Sequence, residues 1–218
     1  PDVRPTLDLN FAGSQTVDPR ITFTRNSTAT YFDKFGVMQT AGVNQPRIDF
    51  DPVTGECKGL LIEEQRTNLL LRSHEFDNTA WVKRGTVLVT PNDSIAPDGS
   101  LTAYRLSGLG LHGNDLYNAD YTSTVIAASG SPYTPSIYIK RISTSGTVVI
   151  QSPLADSFGR WNVDLSALPD GWVRITASTT GVTVVNPFTT SGTGAGGMQI
   201  RSSSASPTLS LFIWGAQL

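Results

Sequence analysis

The sequence predicts an all-β protein: a small N-terminal module of β-hairpins, then an antiparallel β-sandwich of the jelly-roll kind. Three observations predict it. Short segments alternate apolar and polar side chains with period two, the mark of strands with one buried face. Turn-forming residues recur about every 8–12 residues, the spacing of sandwiches and barrels. Helical periodicity is nearly absent, with room for a single turn only at Asp77 to Val82 and at Ser166 to Leu168.

Taken in order, Leu7-Asp8-Leu9-Asn10-Phe11, Ile21-Thr22-Phe23-Thr24 and Arg47-Ile48-Asp49-Phe50 each alternate as half-buried strands do. Asp33-Lys34-Phe35-Gly36 and Asp51-Pro52-Val53-Thr54-Gly55-Glu56 carry the Asp, Pro and Gly of hairpin tips. Gly59 to Glu64 reads as a further strand. Residues 1–66 are thus expected to form the hairpin module. It has few large apolar side chains, so it is expected to pack on a neighbouring chain or on the second domain. Residues 67–218 are expected to form that domain, the sandwich. It opens with the apolar run Leu69-Leu70-Leu71, a polar loop from Ser73 to Thr79, and Trp81. The strands expected next are Thr86 to Thr90, Leu101 to Leu106, Tyr121 to Ala127, Ser136 to Ile142 and Thr147 to Gln151. Trp161 to Leu165, Trp172 to Ala177, Val182 to Val185, Met198 to Ser202 and Thr208 to Trp214 complete the set.

Charge excludes two function classes. The chain has 16 basic and 18 acidic residues and a net charge of -2, so it carries no electrostatic footprint for nucleic acid or for anionic lipid. It has no run of about 18 apolar residues, the length a membrane helix needs. Charged residues make up only 16%, which fits a surface of hydroxyls or a chain that buries surface in an assembly. The one cysteine, Cys57, forms no disulfide within the chain.

Enzyme motifs are sparse. Gly192-Thr193-Gly194-Ala195-Gly196-Gly197 fits the dinucleotide pattern but leads into an alternating strand, so it reads as a loop. His74 and His112 stand at no metal-ligand spacing, and there is no G-x-S-x-G elbow. The adjacent carboxylate pairs Asp49/Asp51, Glu63/Glu64 and Asp115/Asp120 are the one glycosidase-like route, and they read better as solvated turn residues.

The string from Thr22 to Trp81 resembles the lead-in of tailed-bacteriophage structural proteins: head fibres, tail fibres, spikes and decoration proteins. It runs through Thr22-Phe23-Thr24-Arg25-Asn26-Ser27-Thr28-Ala29-Thr30-Tyr31-Phe32-Asp33, Pro46-Arg47-Ile48-Asp49-Phe50-Asp51-Pro52, Gly59-Leu60-Leu61-Ile62-Glu63-Glu64 and Arg66-Thr67-Asn68-Leu69. Ser73, Phe76 and Trp81, the turn Ala96-Pro97-Asp98-Gly99-Ser100, Gly171-Trp172-Val173-Arg174-Ile175 and Trp214-Gly215-Ala216-Gln217-Leu218 are similar to carbohydrate-binding-module-like jelly rolls in such proteins. The resemblance implies a virion exterior protein that works by association. Its expected partners are copies of itself as a trimer, other capsid or tail proteins, and bacterial surface glycan. A purely architectural cement and a polysaccharide-degrading tail enzyme are the alternatives.

Sugar rings present apolar faces to flat aromatic side chains, while amides and carboxylates read the hydroxyls. Trp161, at a strand start after Phe158-Gly159-Arg160, is the expected exposed platform. Tyr117 and Tyr121, flanking Asn118 and Asp120, are the next candidates. Trp81, Trp172 and Trp214 are expected in the core. No cofactor is expected beyond a calcium ion, for which Asp93, Asp98 and Ser100 supply oxygens near one turn.

Overall fold

The hairpins of the N-terminal half begin with aspartates that tie their own turns. Asp33 Oδ1 accepts the N–H groups of Phe35 and Val37 at 2.9 and 3.0 Å. This closes the turn between β1 (Ala29–Phe32) and β2 (Met38–Ala41), which pair antiparallel. Asp51 Oδ1 does the same for Val53 and Thr54, at 2.9 and 3.0 Å. It closes the turn between β3 (Ile48–Phe50) and β4 (Cys57–Leu60), whose ladder carries a bulge between Asp49 and Phe50. Gly36 sits at φ +75°, and a Cβ there would lie 2.5 Å from the carbonyl oxygen of Pro52, so the two tips touch.

The computed structural model describes residues 9–64, 68, 70, 72–111, 113–118, 132–152, 159–189, 197–204 and 208–218. The chain divides into two compact units, Pro1–Gln65 with Pro97–Gly99, and Arg66–Ala96 with Ser100–Leu218.

In the first unit Arg47 is buried between segments. Its Nη1 donates to the Thr30 carbonyl at 2.8 Å and to Glu63 Oε2 at 2.7 Å. Asp49 Oδ1 accepts the Phe32 N–H at 2.9 Å. The Pro46-Arg47-Ile48-Asp49 string and Glu63 therefore join the hairpins to each other. Two expectations for this unit fail. Phe11–Ser14 is a one-turn helix instead of the end of a strand, because Asn10 Oδ1 caps it by accepting the Gly13 N–H at 2.9 Å. Ile21 to Thr24 belongs to no strand ladder among the described residues.

The second unit is two antiparallel sheets in a sandwich. The first, in spatial order, is β13 (Val182–Asn186), β11 (Arg160–Asp164), β10 (Thr147–Gln151), β14 (Gln199–Ser202), β8 (Leu116–Asn118) and β5 (Trp81–Lys83). The second is β12 (Val173–Ile175), β9 (Ser136–Arg141), β15 (Leu209–Gln217), β7 (Ala103–Leu109) and β6 (Leu88–Ser94). The core between them takes alternate residues of each strand. Leu116, Val148, Ile150, Trp161, Val163 and Ile200 come from one sheet, and Leu106, Ile137, Ile139, Leu211 and Ile213 from the other. Phe76 packs on Trp81 and Tyr104 with ring centroids 4.9 and 5.5 Å apart.

Thr147–Gln151 is a strand over the span expected, and most other strands fall within a few residues of theirs. Asp77 to Val82 is not a helical turn: Asn78 Oδ1 accepts the Ala80 N–H at 3.0 Å and the chain enters β5 at Trp81. The short β8 lies between Gly108 and Asp120, where no strand is expected. The strand expected over Tyr121 to Ala127 lies outside the described residues.

Candidate functional site

Alternation leaves the other face of the six-stranded sheet to a polar row. The register puts Asn186 opposite Arg160, Arg160 opposite Gln151, Gln151 opposite Gln199, Gln199 opposite Tyr117 and Tyr117 opposite Val82. Arg160, Gln151, Gln199 and Tyr117 alternate with the core residues Trp161, Ile150, Ile200 and Leu116, so these four share the face turned away from the core. A second row, two residues along, runs from Asn162 through Val149 to Arg201.

The middle of this face is a directed hydrogen-bond relay. Arg201 Nε donates to Gln151 Oε1 at 2.8 Å, and Gln151 Nε2 donates to Gln199 Oε1 at 2.9 Å. Gln199 is 0% exposed, and its own Nε2 has no hydrogen-bond partner among the described residues. A buried donor left unmet costs about 1–3 kcal/mol.

Both ends of the row reach solvent. Arg160 and Asn162 are half-buried, and Arg160 Nε donates to Asn162 Oδ1 at 3.2 Å. At the other end Tyr117 is half-buried with the Arg84 guanidinium carbon 4.6 Å from its ring centroid. Arg84 is held there by Asp115, with Nε to Oδ1 at 2.7 Å and Nη2 to Oδ2 at 2.9 Å. Asp115 is buried and also accepts the Gly113 N–H at 2.8 Å, so its charge is matched and fixed. The two half-buried ends of the row thus carry a guanidinium, Arg160, and a ring, Tyr117, with Arg84 over it, while the amides between them are buried.

Of the described residues expected to bind sugar, only Tyr117 lies on this face. Trp161 is not an exposed platform: it is 3% exposed in the core, its ring edge-on to Phe188 at 5.2 Å. The cause is alternation, which turns Arg160 and Asn162 outward and Trp161 inward. Asn118 follows Tyr117 in the strand, so it turns to the core side opposite Trp81 and is buried. Tyr121 and Asp120 lie outside the described residues. Trp172, expected in the core, is half-buried, with Nε1 donating to the Ile95 carbonyl at 2.8 Å. Trp214 is buried against Tyr138 and His74, with centroids 5.7 and 4.7 Å apart.

The oxygens expected to hold calcium have other engagements. Asp93 Oδ2 pairs with Arg105 Nε at 2.9 Å, and Ser100 shares a 2.6 Å hydrogen bond with Thr102. Asp98 belongs to the Pro97–Gly99 piece of the first unit. Among the described residues no group of three or more His, Cys, Asp or Glu side chains comes together to hold a metal ion. The carboxylate pairs are likewise engaged: Asp49 by Phe32, Asp51 by its own turn and Lys58, Glu63 by Arg47, and Asp115 by Arg84.

Gln151, Gln199, Arg201, Arg160, Asn162 and Arg84 were not foreseen. Each strand does carry the signal, since Gln199-Ile200-Arg201 and Arg160-Trp161-Asn162 alternate polar with apolar. A single strand does not reveal that the polar positions of separate strands fall side by side.

No protein-family model matches this chain, and no curated protein matches it in sequence. Among solved structures it is similar to an arabinose-bound α-L-arabinofuranosidase, MgGH51, at 11% identity and a TM-score of 0.36. The match covers 64% of this chain and 23% of that one, so the chain spans under a quarter of that protein's length.

Proposed function

We propose that this chain is a non-enzymatic structural protein on the exterior of a tailed-phage particle. Its sandwich holds host-surface glycan across the outward face of the six-stranded sheet, and its hairpin unit joins it to neighbouring chains. The observation that carries the glycan reading is the row Arg160–Gln151–Gln199–Tyr117, which sets a guanidinium and a ring at the two half-buried ends of a polar row on one face. The phage setting is supported by the resemblance of the Thr22 to Trp81 string. Weak single-site binding is amplified when many copies sit on one particle.

A purely architectural role is the second reading. It is favoured by Phe35 and Val53, which are 78% and 73% exposed on the two touching hairpin tips. A glycan array probed with the intact oligomer separates the two. Retention on bacterial surface polysaccharide, lost in Tyr117→Ala, supports binding. No retention on any polysaccharide favours the architectural role. Release of new reducing ends from capsular polysaccharide would overturn both.

A further inference from the structure

We infer that the outward face of the five-stranded sheet is a second carbohydrate surface, and that its ligand is a polyuronate, a polysaccharide with a carboxylate on each sugar. This surface is separate from the six-stranded face and does not rest on it.

Strands β9, β15 and β7 put Ile139, Leu211, Ile213 and Leu106 into the core, so their alternate residues turn outward. The register sets these in two rows. Lys140 stands opposite Phe212, and Phe212 opposite Arg105. In the next row Arg174 stands opposite Tyr138, and Tyr138 opposite Trp214. Solvent reaches the groups that matter: Lys140 and Phe212 are half-buried, and Arg105 and Arg174 are exposed.

Charge selects the ligand. Asp93 in the adjoining β6 is taken by Arg105, Oδ2 to Nε at 2.9 Å. Lys140 and Arg174 have no ion-pair partner among the described residues. The Lys140 ammonium lies 5.9 Å from the Phe212 ring centroid. Arg174 is held by neutral groups, with Nη2 donating to Gln217 Oε1 at 2.6 Å and to Ser136 Oγ at 3.2 Å. Those bonds fix the guanidinium without neutralising it. Three cations against one carboxylate leave two positive charges on this face, in a chain whose net charge is -2. An anionic ligand complements them. The half-buried Phe212 ring beside Lys140 adds an apolar platform of the kind a sugar ring covers. A polyuronate repeats both features, a C–H face and a carboxylate. An acidic peptide gains less, because β9 and β15 are paired on both sides and offer it no strand edge.

The test is affinity electrophoresis of the full chain through gels that hold polygalacturonate, alginate or hyaluronan. Each is paired with its carboxyl-reduced form, in which the acid has become a neutral sugar of the same linkage, and polyglutamate serves as an acidic peptide. The expected result is retention by an acidic polysaccharide that weakens about tenfold on its reduced form, as loss of one hydrogen bond to a charged group predicts. Lys140→Gln and Arg174→Gln each remove one charge from an outward position and are expected to weaken the acidic form by about the same factor. The comparison of acid with reduced form on the unmodified chain stands even where a variant does not fold. Equal retention of the two forms overturns the acidic assignment, and equal retention by polyglutamate overturns the saccharide assignment. Retention lost in Tyr117→Ala but kept in Lys140→Gln and Arg174→Gln overturns this surface and leaves the six-stranded face as the glycan site. No retention on any of the three acids overturns this surface, while neutral glycan binding through Tyr117 is read separately.

Discussion

A Cβ added to Gly159 would lie 2.4 Å from Cγ of Phe188, so the backbone of one residue rests directly on the ring of the other. Gly159 sits at φ +144°, and the contact places Phe188 where Trp161 meets it edge-on. Gly159→Ala must either move Phe188 or unseat the start of β11. The expected cost is about 2–4 kcal/mol, from overpacking together with a backbone conformation that L-residues avoid. A shift of the urea midpoint with the slope unchanged checks this. A midpoint within error of the parent would mean that the close approach carries no energy.

The two tryptophans that changed places relative to expectation make opposite predictions. Trp161→Ala empties core volume and should cost about 3–5 kcal/mol. Trp172→Ala removes a half-buried ring and one hydrogen bond to Ile95, and should cost about 1–2 kcal/mol. Acrylamide quenching discriminates further: Trp172 fluorescence should be accessible and Trp161 fluorescence shielded. Equal quenching in the two single-tryptophan-deleted variants would contradict the assignment of core and surface.

How much of this was legible in the sequence depends on whether the signal is local. The turns at Asp33 and Asp51 were legible because an aspartate that ties its own turn acts within a few residues. So was the strand Thr147–Gln151, whose apolar run is bounded by turn residues. Phe11–Ser14 was misread because Asn10 competes locally as a cap, and a short alternating segment cannot register that. Trp161 was misread because its neighbours, a glycine and two polar residues, look like a loop edge. Its burial depends on Phe188, distant in sequence. The Gln151–Gln199 relay joins residues 48 positions apart and was invisible to any reading along one strand.

Acid should loosen the hairpin tips. The Thr54 N–H, the Lys58 ammonium and the Val53 N–H hold the Asp51 carboxyl well below the usual carboxylate range. A group whose folded pKa is depressed contributes stability that is full above its unfolded pKa, about 3.9, and is lost as pH falls toward the folded value. Asp33 shifts the same way: burial opposes its charge, but hydrogen bonds from Gln39, Val37 and Phe35 outweigh that. Asp51→Asn keeps an oxygen for the turn and removes the charge. It should be less stable than the parent at pH 7, and the gap should narrow as the pH falls below about 3.9. Thermal melts from pH 7 to pH 2 measure this, and parallel curves for the two proteins would contradict it.

The same tips supply a test of assembly. Phe35 and Val53 point into solvent from turns that are fixed by Asp33 and Asp51 and pressed together at Gly36 and Pro52. Neither side chain contributes to the core of the sandwich, so Phe35→Ser and Val53→Ser should change the unfolding free energy by no more than about 0.5 kcal/mol. If the hairpin unit joins neighbouring chains through this apolar pair, the double variant should lower the oligomer mass seen by light scattering. The fold of each chain, monitored by far-UV circular dichroism, should be unchanged. An oligomer that survives the double substitution moves the assembly surface away from the tips. A monomeric parent protein removes the need for one.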